Sequence, residues 1–272
     1  MLGGITGDII GSAYEKHNCK SKAFSPLFHA HAQFTDDTVC IVAVSEALLT
    51  GKHPVQTLQA WGRKYWDNGG WGQRFGLWLA DDDPQPYNSW GNGGAMRVAP
   101  VALISTSLEE ALDLAYQVTA ITHNHPEGIK GAQATAMAIW LARSRTPVNN
   151  IRSEIQQRFG YFLDTTVDAI RPSYRHSESA QHSVPQALVC ALEAVDFEDA
   201  IRNAVSIGGD SDTIAAIAGA IAEARFGIPD AIAQQSWSYL THDMRQIMTK
   251  LYAAVQPGNT ITEKLDQKGG IS

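Results

Sequence analysis

A chain of 272 residues, 44% hydrophobic and 18% charged, can bury a core without staples and is not disordered in composition. Its 28 acidic against 21 basic residues give a net charge of -7, which argues against general nucleic-acid binding. Cys19, Cys40 and Cys190 are widely spaced and form no CxxC pair, so neither a disulfide framework nor a zinc knuckle is indicated.

Few, unpaired thiols fit a reduced compartment. No basic stretch precedes an apolar run at the start, so no signal peptide is expected. The longest apolar runs, such as Ile214 to Ala222, are about half the roughly 20 residues of a membrane helix. The expectation is a cytoplasmic protein that does not engage membranes.

In chain order, Gly3 to Glu15 is rich in glycine, which permits close approach to a ligand or, more simply, to another helix. It is not a P-loop, because no Gly-Lys-Ser/Thr follows. Thr35-Asp36-Asp37-Thr38 leads into the apolar run Val39 to Val44, a buried helix start. Asn68 to Gly94 reads as a long loop region carrying Gly69-Gly70-Trp71-Gly72, the solvated Asp81-Asp82-Asp83, and Ser89-Trp90-Gly91-Asn92-Gly93-Gly94. A stretch of that kind inside a domain is usually functional.

Ser107-x-x-Glu110 forms a capping box before Leu108, Ala111, Leu112, Ala115 and Val118. His125-Pro126-Glu127 starts a helix with Ala132, Ala136, Ile139 and Trp140 on one face. Asp196 to Asp199 and Pro229-Asp230 open two more, and between them Gly208-Gly209-Asp210-Ser211-Asp212-Thr213 precedes Ile214 to Ala222. Residues 256–272 are polar and expected to fray. Strand alternation is absent, which predicts one all-α domain over residues 1–272.

Two acidic clusters, at residues 35–38 and 208–213, carry the chemistry. Helix capping is the common role of Asp and Thr at such positions. A cap needs one acceptor, however, and each cluster offers two carboxylates and a hydroxyl at the start of an apolar helix. Unpaired buried carboxylates are costly. Hard oxygens of this kind suit Mg²⁺ or Mn²⁺, and two clusters could hold two ions about 3.5–4 Å apart. The Gly91–Gly94 run can aim backbone N–H groups at an anion such as phosphate, or can be a plain turn. In Thr122-His123-Asn124-His125-Pro126, the histidines are not the ligand set Mg²⁺ prefers, and a cap or a packed ring is the simpler role.

These segments together resemble the ADP-ribosylglycohydrolase family, which contains dinitrogen-reductase-activating glycohydrolases and ADP-ribosylarginine and ADP-ribosylserine hydrolases. The match spans residues 3–227 in the family's order: GxxxGDxxGxxxE at Gly3 to Glu15, TDDT at 35–38, GNGGAMR at 91–97, THNHP at 122–126 and GGDSDT at 208–213. The resemblance implies an all-α orthogonal helical bundle with a two-Mg²⁺ centre at helix N-termini, Mn²⁺ being a substitute. Thr35, Asp36 and Asp37 would hold one ion, Asp210 and Thr213 the other, and Asp212 would bridge them. Glu15 would be catalytic with Asp36 and Asp212. Gly70 and Gly72 would lie near the diphosphate of ADP-ribose, Ser89, Asn92, Gly93 and Gly94 would hold the diphosphate and distal parts, and His123 would contact ligand. The implied activity is Mg²⁺-dependent release of ADP-ribose from a modified protein side chain, arginine before serine. The alternatives are a non-catalytic ADP-ribose-binding or structural relative, a hydrolase of another ADP-ribosylated molecule, and a hydrolase of a different phosphorylated substrate.

Overall fold

The computed structural model describes residues 1–255 together with Leu265 and Asp266. Among the described residues the chain is helical with no strand, and one isolated bridge joins Gly91 to Ser179. The helices are α1 (Leu2–Ser12), α2 (Asp36–Thr50), α3 (Pro54–Lys64), α4 (Gln73–Ala80), α5 (Gly93–Met96), α6 (Ala99–Ile104), α7 (Leu108–Ala120) and α8 (Pro126–Arg143). They continue as α9 (Val148–Phe159), α10 (Val167–Ile170), α11 (Ala180–Glu193), α12 (Phe197–Ile207), α13 (Ser211–Phe226), α14 (Asp230–Tyr239) and α15 (His242–Val255). No helix among them is long and apolar enough to cross a membrane.

Local capping sets several starts. Ser107 caps α7 by accepting from the Glu110 N–H at 3.1 Å, and the Glu110 carboxylate reaches back to the Thr106 N–H at 2.7 Å. His125 caps α8 through the Glu127 N–H, and Asp196 caps α12 through the Asp199 N–H at 2.7 Å. The long loop expected over residues 68–94 is interrupted by α4. Phe75, Trp78 and Leu79 of α4 are buried at helical spacing, and Gly76 sits where the Trp66 indole closes over the helix. The expected fraying of residues 256–272 falls mostly outside the described residues; Leu265 is buried and Asp266 accepts from the Trp237 indole N–H at 2.7 Å.

The most extensive helix contact, α1 against α13, positions the site. Four glycines give α1 an intrinsic penalty of roughly 4 kcal/mol relative to alanine. Burial of Leu2, Ile5, Ile9 and Ile10, at about 1.5–3 kcal/mol each, exceeds it. The glycines are there for proximity. A Cβ on Gly3, Gly7 or Gly11 would lie 2.3, 1.9 or 2.4 Å from the carbonyl oxygens of Gly219, Ala215 and Ser211. The two backbones therefore touch, antiparallel, so the end of α1 and the following Glu15 meet the first turn of α13.

Candidate active site

Helices α2 and α13 begin side by side, and each start carries acids. Thr35 caps α2: its backbone is extended and its hydroxyl accepts from the Asp37 N–H at 3.3 Å. Asp8, wholly buried on α1, accepts from the Thr35 N–H at 2.9 Å, the Thr35 hydroxyl at 2.6 Å, the Thr38 N–H at 3.1 Å and the Thr38 hydroxyl. Capping thus accounts for Thr35 but not for the neighbouring carboxylates. Asp36 accepts from the Gly70 N–H at 3.1 Å, which docks the glycine loop on the cluster.

At α13, Gly208 and Gly209 have φ of +69° and +83°, a conformation that favours glycine. They turn the chain so that Asp210 and Asp212 face the start of α2. Asp210 does not cap its helix; its carboxylate accepts from the Asn92 amide at 2.6 Å. Asp212 accepts from the Thr213 N–H at 2.9 Å, and the Thr213 hydroxyl donates to Asp37 at 3.2 Å, joining the two starts. The Asn18 side chain accepts from the Gly209 N–H at 2.5 Å, and the Lys20 ammonium bonds the carbonyls of Arg171, Tyr174 and Ile207. These bonds hold the segment that carries Glu15 against the same turn.

Carboxylate oxygens of Asp8, Asp37 and Asp212 lie within 4.8 Å of one another. Burial, reinforced by the neighbouring acids, pushes Asp36 up to about 7 and raises Asp37 and Asp212 well above the ordinary carboxylate range. Asp37 Oδ1 is buried with no hydrogen-bond partner among the described residues. An all-oxygen set with an orphaned carboxylate oxygen fits a hard divalent cation. Asp8 receives four hydrogen bonds, three of them on Oδ2, so it orients the α2 start, while the carboxylates of Asp37 and Asp212 are less engaged.

A cleft of about 380 Å³ runs from this cluster between α4, α5 and the turn before α8 that carries His123. Its acidic end holds Asp36, Asp37, Asp210, Asp212 and half-buried Glu15, whose carboxyl is raised first by burial and then by Asp210. Its other end holds Arg74, Arg97 and His123 beside Ser89 and Gly91 to Gly93. Arg97 is fully buried, and its Nε and Nη1 have no hydrogen-bond partner among the described residues. Trp90 stands 52% exposed at the rim with its edge toward the His125 ring.

The cleft brings together most of the residues expected from the sequence: Glu15, Asp36, Asp37, Gly70, Gly72, Ser89, Asn92, Gly93, His123, Asp210, Asp212 and Thr213. Two stand behind its wall. Thr35 has its hydroxyl engaged with Asp8, and Gly94 packs against Thr119 and Gly128, where a Cβ would meet the Thr119 methyl at 2.6 Å. Asp8, Arg74 and Arg97 had no site role in the sequence reading. Asp8 could have been found as the one acid in an otherwise apolar helix; Arg97 carried no comparable signal.

A family model described as ADP-ribosylglycohydrolase matches residues 1–260. ADP-ribosylhydrolase ARH3 of Mus musculus is 25% identical, with 87% of this chain and 85% of that protein covered. ADP-ribosylarginine hydrolase Tri1 of Pseudomonas putida is also 25% identical, over 88% of this chain and 73% of its own. A solved structure described as an ADP-ribosylglycohydrolase-related protein complex shares the fold, with a TM-score of 0.71 at 23% identity, covering 94% of this chain and 96% of its own.

Proposed function

This chain belongs to the ADP-ribosylglycohydrolase family, and on that premise we propose that it is a Mg²⁺-dependent hydrolase that releases ADP-ribose from a modified arginine side chain. One observation carries the reading. A single cleft has oxygen ligands for divalent cations at one end and, around His123, the Arg74 guanidinium and the His123 ring nitrogen to meet an anion. ADP-ribose has matching ends: a ribose cis-diol and anomeric carbon, and a diphosphate. The Pseudomonas putida relative, named as an ADP-ribosylarginine hydrolase, supports the choice of acceptor. So do Glu15 and Glu178, two carboxylates lining the cleft with His176 beside Glu178, which suit a guanidinium leaving group better than a neutral hydroxyl.

Asp36, Asp37, Asp210, Asp212 and the Thr213 hydroxyl are the cleft groups that would hold two Mg²⁺ ions, with Thr35 bracing the α2 start behind them. Bound there, the ions would supply charge neutralisation and an acidified water beside the anomeric carbon. Glu15 is the protein's own proton carrier. Lining the cleft beside Asp210 and Asp212, it can take a proton from the attacking water or give one to the leaving nitrogen. Asn92 fixes Asp210 in place. The Gly70 N–H, held on Asp36, sets the glycine loop over the centre of the cleft.

The test is release of free ADP-ribose from arginine-linked and serine-linked peptides, with Mg²⁺ and with chelator. The expected result is metal-dependent release, faster from arginine, and a loss of about a thousandfold or more in Asp212→Asn. Full activity in chelator or in the variant would overturn the metal assignment. Tight ADP-ribose binding without turnover on either linkage would leave a non-catalytic ADP-ribose-binding relative.

A further inference from the structure

His123 is buried at the anion end of the cleft, and its environment specifies which ring nitrogen carries the proton. The argument starts at the Thr119 carbonyl. It already accepts the Thr122 N–H at 3.1 Å and the His123 N–H at 2.8 Å, so both its lone pairs are in use. The fully buried Thr122 hydroxyl lies 3.4 Å from that carbonyl but 2.8 Å from His123 Nδ1. Arg97 Nη2 donates to the same hydroxyl at 2.5 Å. A guanidinium is a donor only, so the hydroxyl must accept there and retains one proton to give. The saturated carbonyl cannot take it well, which leaves Nδ1 as the acceptor.

We infer that Arg97 acts through Thr122 to hold His123 as the neutral Nε2–H tautomer, presenting one N–H donor to an anionic oxygen of the ligand. Nε2 has no hydrogen-bond partner among the described residues. It points at the gap between Gly91 and Gly93, where added Cβ atoms would stand 3.4 and 3.0 Å from it. Side chains at those positions would fill the space into which Nε2–H is directed. The ring stays neutral because burial, then Arg97 and Arg74, hold its pKa well below the ordinary histidine value. Arg97 thereby has two effects on the anion end. It contributes an unpaired buried charge beneath the wall, and it sets the donor on the surface. Arg97 and Thr122 are positioning residues.

The ligand half of this inference rests on the proposed function; the tautomer half does not. The test is a two-bond ¹H–¹⁵N correlation spectrum of the ¹⁵N-labelled full chain, with His123 assigned by its absence in His123→Gln. The expected spectrum of the ligand-free protein has Nε2 protonated and Nδ1 bare by about ten to one or more, the worth of one buried hydrogen bond. Thr122→Val should reduce that ratio severalfold, and Thr122→Ser should restore it. ADP-ribose affinity should fall about tenfold in Thr122→Val and return in Thr122→Ser. A wild-type His123 protonated on Nδ1, or a ratio unmoved in a folded Thr122→Val, would overturn the inference. The wild-type spectrum decides even if the valine variant does not fold. If ADP-ribose fails to bind while the tautomer is as stated, the proposed function and the ligand half fall and the relay stands.

Discussion

Asp37 and Asp8 are both buried acids less than 10% exposed, yet their hydrogen-bond surroundings receive a neutral amide in opposite ways. Asp37 has one oxygen bonded to Thr213 and the other without a hydrogen-bond partner among the described residues. In metal-free protein its negative charge is a liability, and a neutral amide of the same shape relieves it. Asp37→Asn should therefore stabilise the metal-free chain by about 1–2 kcal/mol while abolishing metal-dependent turnover. Asp8 instead receives two N–H and two O–H donors. An amide NH₂ in its place would face donors, so Asp8→Asn should destabilise the fold by about 2–3 kcal/mol. Urea denaturation in chelator, compared across the two variants, reads both signs. A shift of the same sign in both would show that the division between metal donor and scaffold is wrong.

At the scale of elements, the α1–α13 contact is what brings the two acidic helix starts into one place. Gly7 stands where a Cβ would sit 1.9 Å from the Ala215 carbonyl oxygen, a backbone atom that cannot swing aside. Gly7→Ala should cost about 3 kcal/mol or more and weaken metal binding by parting the helices. Gly72→Ala, with nothing within 4 Å of the added methyl, should change thermal stability by no more than about 0.5 kcal/mol. Calorimetry of the pair would test whether the glycines of α1 serve packing. The same contrast explains what could be read without coordinates. The starts of α7, α8 and α12 were legible because their caps, Ser107, His125 and Asp196, bond to residues two or three positions away. The acidic clusters were legible because each is contiguous in the chain. Asp8 was passed over because its donors come from residues 27 and 30 positions further on, and α4 because its apolar face is short and surrounded by glycine. Arg97 gained its role only when α5, α7 and the turn before α8 closed around it.

For the whole molecule, the consequence of gathering these acids is a fold whose stability depends on pH in a direction set by metal. Burial raises Asp8 to about 6 against its hydrogen bonds, and burial with repulsion by the neighbouring acids raises Asp36 to about 7 and raises Asp37 and Asp212 as well. A carboxyl with a higher pKa folded than unfolded binds more protons in the native state. Its contribution to stability is then greatest below the unfolded value of about 4 and is lost as pH rises through the folded value. Metal-free protein should lose stability progressively between about pH 4 and pH 7, the opposite of the trend that paired surface carboxylates give. A bound divalent cation favours the ionised acids and competes with protons for them, so Mg²⁺ should raise stability most at the alkaline end and little at the acid end. Denaturation midpoints measured across this range, in chelator and in excess Mg²⁺, should diverge as pH increases. Parallel curves would mean that the buried carboxylates are not where the cation binds, and the acidic end of the cleft would then need another account of its charge.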